Sequence, residues 1–156
     1  PIIKSGGQVK LLRWGLKNTY SGQPLINARS ETLSERKTFI PLLENRCLVP
    51  ASAYFEWRKN GAQNIKSHIA RKARDLIAFA GLFSQDRFTI ITCISNSTVA
   101  NIHKRMPVIL ERQFEQDWLE DGVQFPQVSK LLVPYPNGLL AAQEINLPQP
   151  QRDLFD

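Results

Sequence analysis

The sequence predicts a mixed α+β fold, a single domain made of strands joined by turns and a few short helices. Its 156 residues suit one domain, and an apolar content of 42% is enough for a buried core. Short runs rich in β-branched and aromatic residues recur along the chain, as is typical of strands. Helical spacing of apolar residues is confined to short segments. We expect the domain to span residues 1–147, followed by a tail over residues 148–156.

The predicted strands are separated by turn-forming residues. Residues 17–24 are turn-rich, and Asn60-Gly61 is a typical hairpin turn. The polar stretch Ser84–Arg87 turns between two strongly apolar runs, which therefore form a central hairpin. The predicted strands are Val9–Leu16, Cys47–Pro50, Ala53–Arg58, Ile65–Arg71, Leu76–Phe83, Phe88–Ile94 and Val108–Leu110, with Asn27–Thr32 as a further strand or extended segment.

The predicted helices are short and rest on capping residues and on apolar spacing. In the first, Phe39, Leu42 and Leu43 share one face, and Pro41 indicates a break or a helix start. Ser95-Asn96-Ser97 supplies a cap for the second. The four predicted helices are Ser34–Asn45, a segment from the Ser95 cap through His103, Glu111–Glu120 and Pro126–Leu132.

Charge and composition narrow the classes of function. With 20 basic and 14 acidic residues the chain carries a net charge of +6, which favours polyanionic partners such as DNA or RNA. Many ordinary soluble proteins are equally basic, so charge alone leaves both interpretations open. No apolar run reaches the ~20 residues of a membrane span, and the first residues do not form a signal peptide. We therefore expect a cytoplasmic protein without a membrane partner.

The sequence predicts neither a metal site nor a cofactor. It has no paired Cys or His with zinc-binding spacing and no glycine-rich phosphate loop. Its two cysteines, Cys47 and Cys93, lie in apolar runs, which favours buried free thiols over a disulfide. Of the two histidines, His68 has no context that suggests a role, and we expect it on the surface.

Glu56 is a candidate for proton transfer because of its place in a predicted strand. Alternation puts Phe55 and Trp57 on one face of that strand and Tyr54 and Glu56 on the other. Apolar surroundings would raise the pKa of the Glu56 carboxyl, which suits an acid or base. The alternative for a single glutamate in a strand is a solvent-facing side chain.

Two further runs contain polar groups suited to chemistry beside a phosphate backbone. His103 ends a predicted helix, where its imidazole can act as an acid or base near neutral pH, although a lone histidine is more often a surface residue. Asn27, Arg29 and Glu31 alternate with small residues, so an amide, a guanidinium and a carboxylate share a face. A structural contact between Arg29 and Glu31 is the alternative.

Arg105 and Trp14 each allow two interpretations. Arg105 can contact a phosphate or remain a solvated charge, and Trp14 can stack on a base or pack in the core.

Taken in order, these runs resemble the SOS-response-associated peptidase (SRAP) family. The resemblance is strong over residues 11–110 and weaker beyond. The segments that carry it are Trp14-Gly15, Leu25–Thr32, Arg46–Ala51, Phe55-Glu56-Trp57, Ala80–Phe83, Phe88–Thr92 and Ile102–Val108. It implies a curved, mainly antiparallel sheet or partial barrel with a few short helices. It also implies a monomeric protein that senses and shields abasic sites in single-stranded DNA. In the family, the N-terminal cysteine of the protein forms a covalent thiazolidine crosslink with the abasic site.

The resemblance also implies roles for individual residues. Glu56 would assist proton transfer, His103 would help to open the sugar or stabilise the intermediate, and Asn27 would position the linkage. The implied DNA contacts are Arg29 and Arg105 to phosphates, Trp14 and Thr92 along the groove, and Arg36 or Lys37 as a further phosphate contact.

The sequence departs from the family pattern at its start. It opens with Pro1-Ile2-Ile3, where the family has an N-terminal cysteine. Either a preceding segment carries the nucleophile, or the protein lacks the covalent step. Two alternative functions therefore stay open: a non-covalent nucleic-acid-binding module, and a thiol peptidase, for which a Cys47–His103 dyad is conceivable.

Overall fold

The computed structural model describes residues 1–18 and 22–145 and contains two open β-sheets with short helices beside them. The expected tail over residues 148–156 lies outside the described residues. The strands are β1 (Ile2–Ile3), β2 (Val9–Lys10), β3 (Arg13–Trp14), β4 (Asn27–Arg29), β5 (Arg46–Ala51), β6 (Tyr54–Asn60), β7 (Gln63–Arg71), β8 (Ile77–Ser84), β9 (Arg87–Ile94), β10 (Arg105–Pro107), β11 (Ile109–Leu110) and β12 (Leu140–Ile145). The α-helices are α1 (Glu115–Leu119) and α2 (Phe125–Val128).

The larger sheet is organised around the hairpin of β8 and β9. Its strands follow the order β10-β9-β8-β5-β1-β2, and β3 and β4 run parallel to β9 while the other pairs are antiparallel. At one end β8 and β9 separate, and the segment of β10 and β11 lies between them. Val108 joins the two sides, since its N–H donates to Ile91 (2.8 Å) and its carbonyl accepts from Ala80 (3.0 Å).

The smaller sheet has the order β12-β7-β6 and is buried on one face only. Along β6 the burial alternates, as expected for a strand with one solvent face. The hairpin turn lies at residues 61–62 rather than at the predicted Asn60-Gly61, because Asn60 pairs with Gln63. His68 was expected on the surface but is half-buried, with its ring centroid 5.4 Å from that of Phe55.

The core lies between the larger sheet and the helical segments. Trp118 of α1 is fully buried, and its indole N–H donates to the Cys47 carbonyl (3.1 Å). The Arg46 guanidinium, also buried, donates to the carbonyls of Trp118, Glu120 and Val123 and so joins the end of α1 to β5. Cys47 and Cys93 are buried free thiols, as the sequence predicted.

Two predicted elements are wrong in the first third of the chain. The predicted strand Val9–Leu16 is split, because β2 pairs with β1 while β3 pairs with β9. The predicted helix Ser34–Asn45 is a series of turns with a 3-10 helix at Ile40–Leu42. Pro41 lies inside that 3-10 helix and lacks the N–H that a longer α-helix would need.

Three further differences lie later in the chain. The segment from Ser95 to His103 forms separate turns, although the predicted cap is present: Asn96 Oδ1 accepts from the Val99 N–H (3.2 Å). The predicted helices Glu111–Glu120 and Pro126–Leu132 are confirmed in place, but 3-10 turns replace part of each. Strand β12 was missed. None of the described helices is long and apolar enough to cross a bilayer.

Candidate active site

A cavity of about 720 Å³ opens between β4, β9 and β10 of the larger sheet and β6 of the smaller one. Seven of the residues that the sequence singled out for a site line this cavity. They are Trp14, Asn27, Arg29, Glu56, Thr92, His103 and Arg105. The three separate runs of the sequence therefore meet in one place. Arg36 and Lys37 are exposed and are not among the lining residues.

Strand register explains why the run that contains Asn27 and Arg29 meets the run that contains His103 and Arg105. β4 runs parallel to β9 with Arg29 opposite Thr92, and β10 runs antiparallel to the same stretch with Pro107 opposite Thr92. Ala28 is buried, so the flanking Asn27 and Arg29 project from the opposite face of β4 into the cavity. The predicted alternation is present over β4 but ends there, because Ser30–Thr32 forms a 3-10 helix instead of continuing the strand.

Glu56 reaches the cavity from β6 with its side chain 22% exposed. Its Oε1 lies 3.9 Å from His103 Nδ1, so the two groups face each other without a direct hydrogen bond. Burial raises the pKa of the Glu56 carboxyl, and the neighbouring His103 partly opposes that rise. The solvent-facing alternative is therefore wrong, and a carboxyl that binds its proton more tightly than usual lies beside an imidazole.

The main chain of Arg105 fixes the His103 ring. His103 Nδ1 lies 2.9 Å from the Arg105 carbonyl oxygen and 3.2 Å from the Arg105 nitrogen. A protonated Nδ1 can donate to that carbonyl, and an unprotonated Nδ1 can accept from that N–H. The ring thus keeps a partner in either protonation state. Nε2 has no partner among the described residues and is left for a ligand or solvent.

The Arg105 side chain is already engaged within the site. Its two terminal nitrogens bind the Glu31 carboxylate at 3.1 and 2.9 Å, and further bonds reach Thr92 Oγ1 (3.2 Å) and the Thr92 carbonyl (2.7 Å). This bond to Arg105 holds the pKa of Glu31 below its ordinary value. Glu31 therefore pairs with Arg105 and not with Arg29. Arg29 is exposed and has no partner among the described residues.

Trp14 stands at the rim of the cavity with 52% of its surface exposed, so it does not pack into the core. Its indole N–H donates to the Ile26 carbonyl (2.8 Å), which fixes the orientation of the ring. The next residue, Gly15, has φ +100° and lies close against Pro24. An oriented, exposed indole is a suitable surface for stacking.

The apolar wall of the cavity could not be read from the sequence. It is contributed by side chains of four different strands and by residues just before β4 and β6. Its members are Ile26, Val49, Ala53, Phe79, Phe88, Ile90 and Met106. Tyr54 also lines the cavity, and its buried hydroxyl has no hydrogen-bond partner among the described residues. The one available signal was strand alternation, which places Tyr54 on the face of Glu56.

Comparison with protein-family models gives a match over residues 2–147 to SRAP, the SOS response associated peptidase family. The chain belongs to the SRAP family. The match includes every residue of the cavity. The expected sheet-dominated α+β architecture is likewise confirmed by solved structures. A Bacteroides thetaiotaomicron protein of known crystal structure superimposes with a TM-score of 0.83 at 30% identity, covering 94% of this chain and 73% of that one.

Several relatives of this SRAP protein are named abasic site processing proteins. YoqW of Bacillus subtilis is 37% identical over 93% of this chain and 73% of its own length. YedK of Escherichia coli is 28% identical over 69% of this chain and 53% of its own length. HMCES of Xenopus tropicalis is 27% identical over 81% of this chain and 49% of its own length.

Proposed function

We propose that this SRAP protein binds single-stranded DNA and holds an abasic nucleotide in the cavity beside Glu56 and His103. The observation that carries the proposal is the proximity of these two groups, 3.9 Å apart, in a cavity that also presents an amide and a guanidinium without a partner among the described residues. An abasic site has no base, so its sugar can open to a reactive aldehyde. The names of the relatives support the same substrate.

The chemistry proposed for the complete form uses an N-terminal cysteine. Its α-amine adds to the sugar aldehyde and loses water to form an imine, and its thiol then adds to the imine carbon to close a thiazolidine ring. The amine addition and the loss of water both need proton transfer. Glu56 is suited to supply and remove these protons because its carboxyl retains a proton at higher pH than usual. His103 Nε2 would protonate the ring oxygen as the sugar opens.

The other residues would bind and orient the strand. Asn27 would hydrogen-bond the linkage, and Arg29 would contact a flanking phosphate because its guanidinium has no partner among the described residues. Trp14 would stack on a neighbouring base. Arg105 is already bound to Glu31, so its first role would be to keep Thr92 and the His103 ring in place, and a phosphate contact would use its remaining N–H.

The direction of β1 is compatible with a nucleophile that precedes Pro1. β1 is antiparallel to β5 with Ile3 opposite Leu48, so residues before Ile3 run along β5 towards Ala51. Val49 of β5 and Ala53, just beyond the end of β5, both line the cavity. In a longer form of the protein, a preceding segment would therefore approach the cavity along this side.

The geometry does not support a peptidase that uses Cys47. Its thiol is fully buried in β5 and Cys47 is not one of the residues lining the cavity. Burial raises the pKa of Cys47 to about 12, so the thiol stays protonated and unreactive. A Cys47–His103 dyad is therefore not proposed.

The test uses the full-length gene product and three single strands of equal length. One carries an aldehydic abasic site, one carries a tetrahydrofuran analogue that cannot open, and one is intact. We expect a heat-stable adduct only with the aldehydic strand, formed more slowly by His103→Ala. Absence of an adduct, together with equal and salt-sensitive affinity for all three strands, would replace the proposal with a non-covalent binding module.

A further inference from the structure

Glu31 belongs to the ion pair with Arg105 but does not itself line the cavity. It lies in the 3-10 helix Ser30–Thr32 that follows β4. Its carboxylate accepts from Arg105 through both oxygens, at 3.1 and 2.9 Å. Two bonds of this kind fix the plane of a guanidinium as well as its position. Glu31 therefore limits where the Arg105 side chain can lie.

The exposure of this ion pair points away from a purely stabilising role. The side chains of Glu31 and Arg105 are 47% and 23% exposed. Ion pairs that water can reach add little to the free energy of unfolding, because water screens the charges and two long side chains lose freedom. The pair joins the helix after β4 to the first residue of β10. A contact in this place is suited to hold two parts of the site at a fixed separation.

The Arg105 side chain carries the constraint to its own main chain. Its Nε donates to Thr92 Oγ1 (3.2 Å) and its Nη2 to the Thr92 carbonyl (2.7 Å), so the guanidinium is held on two sides. The main chain of the same residue contacts His103 Nδ1, with the carbonyl oxygen at 2.9 Å and the nitrogen at 3.2 Å. Restricting the Arg105 side chain therefore restricts the groups that orient the imidazole.

The His103 ring needs such support because it lies just outside the sheet. β10 begins at Arg105, so the ladder of hydrogen bonds between β9 and β10 does not include His103. The His103 carbonyl accepts from Ser95 Oγ (2.6 Å), a bond that fixes the main chain but leaves the ring free to turn. The imidazole is 48% exposed, and among the described residues its hydrogen bonds go to the Arg105 main chain.

We propose that Glu31 is a positioning residue for His103 and acts through Arg105. With the ion pair intact, the Arg105 main chain keeps Nδ1 in place and Nε2 faces the bound sugar. Without it, the Arg105 side chain shifts and the imidazole turns. The effect of Glu31 on the reaction rate rests on the proposed function, whereas its effect on the ring is present in the protein without DNA.

The first test separates reaction rate from affinity in the full-length protein. Glu31→Gln keeps the size of the side chain but removes its charge and one acceptor. At saturating aldehydic strand we expect it to slow single-turnover adduct formation about tenfold or more, as for a small displacement of a catalytic group. Affinity for the tetrahydrofuran strand should stay equal or rise, because a negative charge beside the strand is lost.

A matched control removes another ion-paired carboxylate. Glu144 is bound to Arg58 (2.6 Å), is 54% exposed and does not line the cavity. Glu144→Gln should leave the rate and the affinity unchanged, and thermal unfolding checks that both variants are folded. An unchanged rate for folded Glu31→Gln would overturn the positioning role. A faster reaction with tighter binding would overturn it too, since Glu31 would then be withholding Arg105 from a phosphate.

A double-mutant cycle tests whether Glu31 acts through His103. In a His103→Ala background there is no imidazole to misplace, so Glu31→Gln should slow the remaining reaction by less than about twofold. Equal slowing in both backgrounds would overturn the proposed route through the ring.

Ring NMR signals of His103, identified by their loss in His103→Ala, give a measurement without DNA. We expect one set of signals in the wild type and in Glu144→Gln, and a second, exchanging set in Glu31→Gln. An identical single set in all three proteins would overturn the positioning role. If the wild type formed no adduct, the proposed function would fail, and these signals would still decide whether Glu31 orients His103.

Discussion

At the scale of single residues, the candidate site holds one carboxyl, that of Glu56, partly out of water. Burial raises the pKa of Glu56, and the facing imidazole limits the rise. Charging this carboxylate in the folded protein therefore costs more free energy than charging it in the unfolded chain. The raised pKa that suits Glu56 to proton transfer should therefore lower the free energy of unfolding near neutral pH.

This conflict gives a prediction for Glu56→Gln. Because the folded-state pKa is raised, the folded protein binds the proton more tightly, and its stability falls as pH rises from the ordinary value of 4.5 through the raised one. The variant lacks this titration. We expect its stability, relative to wild type, to increase between pH 4 and pH 7, measured by urea unfolding at each pH. An identical difference at both pH values would contradict this explanation.

A second residue-scale prediction concerns Arg46, whose side chain is 4% exposed. Its guanidinium donates to three main-chain carbonyls near the end of α1 and to the Glu44 carboxylate. Arg46→Met would leave the three carbonyls without these donors in a largely buried place, and we expect a loss of about 3–5 kcal/mol in the free energy of unfolding. The control Arg13→Met removes a 75% exposed guanidinium and should cost less than about 1 kcal/mol. Equal losses for the two variants would show that the hydrogen bonds of Arg46 do not stabilise the contact between α1 and β5.

At the scale of elements, the structure builds the cavity from strands that are distant in sequence. Local patterns predicted the hairpin of β8 and β9, and alternation predicted which side of β6 carries Glu56. The pairing of β4 and β10 with β9 depends on long-range contacts, which no local pattern encodes. The same applies to the bond between Glu31 and Arg105, 74 residues apart.

Missed and mistaken elements have related causes. The sequence of β12, Leu-Ala-Ala-Gln-Glu-Ile, has little of the β-branched and aromatic content typical of strands. It is a strand because it pairs with β7 along its whole length. Apolar spacing in Ser34–Asn45 suggested a helix, but the chain there forms turns around Pro41. Tertiary context overrode local preference in both cases.

The turn after β3 gives a prediction at this scale. A Cβ added at Gly15 would lie 2.6 Å from Pro24 Cβ, in a backbone with φ +100°. Gly15→Ala should lower the free energy of unfolding by about 1–3 kcal/mol and weaken single-strand binding, because the adjacent Trp14 would shift. Gly138→Ala is the matched control, with φ +82° but open space around the added atom. If urea unfolding and strand binding are the same for both variants, the contact with Pro24 does not position Trp14.

At the scale of the whole molecule, the net charge of +6 should strengthen the binding of a negatively charged single strand at the cavity. Non-covalent binding of a single strand should weaken as salt rises, because each neutralised phosphate releases counterions. Arg29→Ala should reduce the slope of log K against log salt by about 0.7, the value for one phosphate contact on a single strand. Arg112→Ala, an exposed charge outside the cavity, should leave the slope unchanged. Equal slopes for wild type and Arg29→Ala would exclude that phosphate contact.

Glu56 is proposed to transfer protons to an abasic sugar held in the cavity. The most direct measurement is the single-turnover rate of adduct formation by the full-length protein on an aldehydic single strand at pH 7. Glu56→Gln should slow this rate about 100-fold or more, as expected for loss of a general acid–base. Glu35→Gln, a matched change at an exposed carboxylate outside the cavity, should react like wild type. A folded Glu56→Gln variant that reacts as fast as wild type would contradict the account.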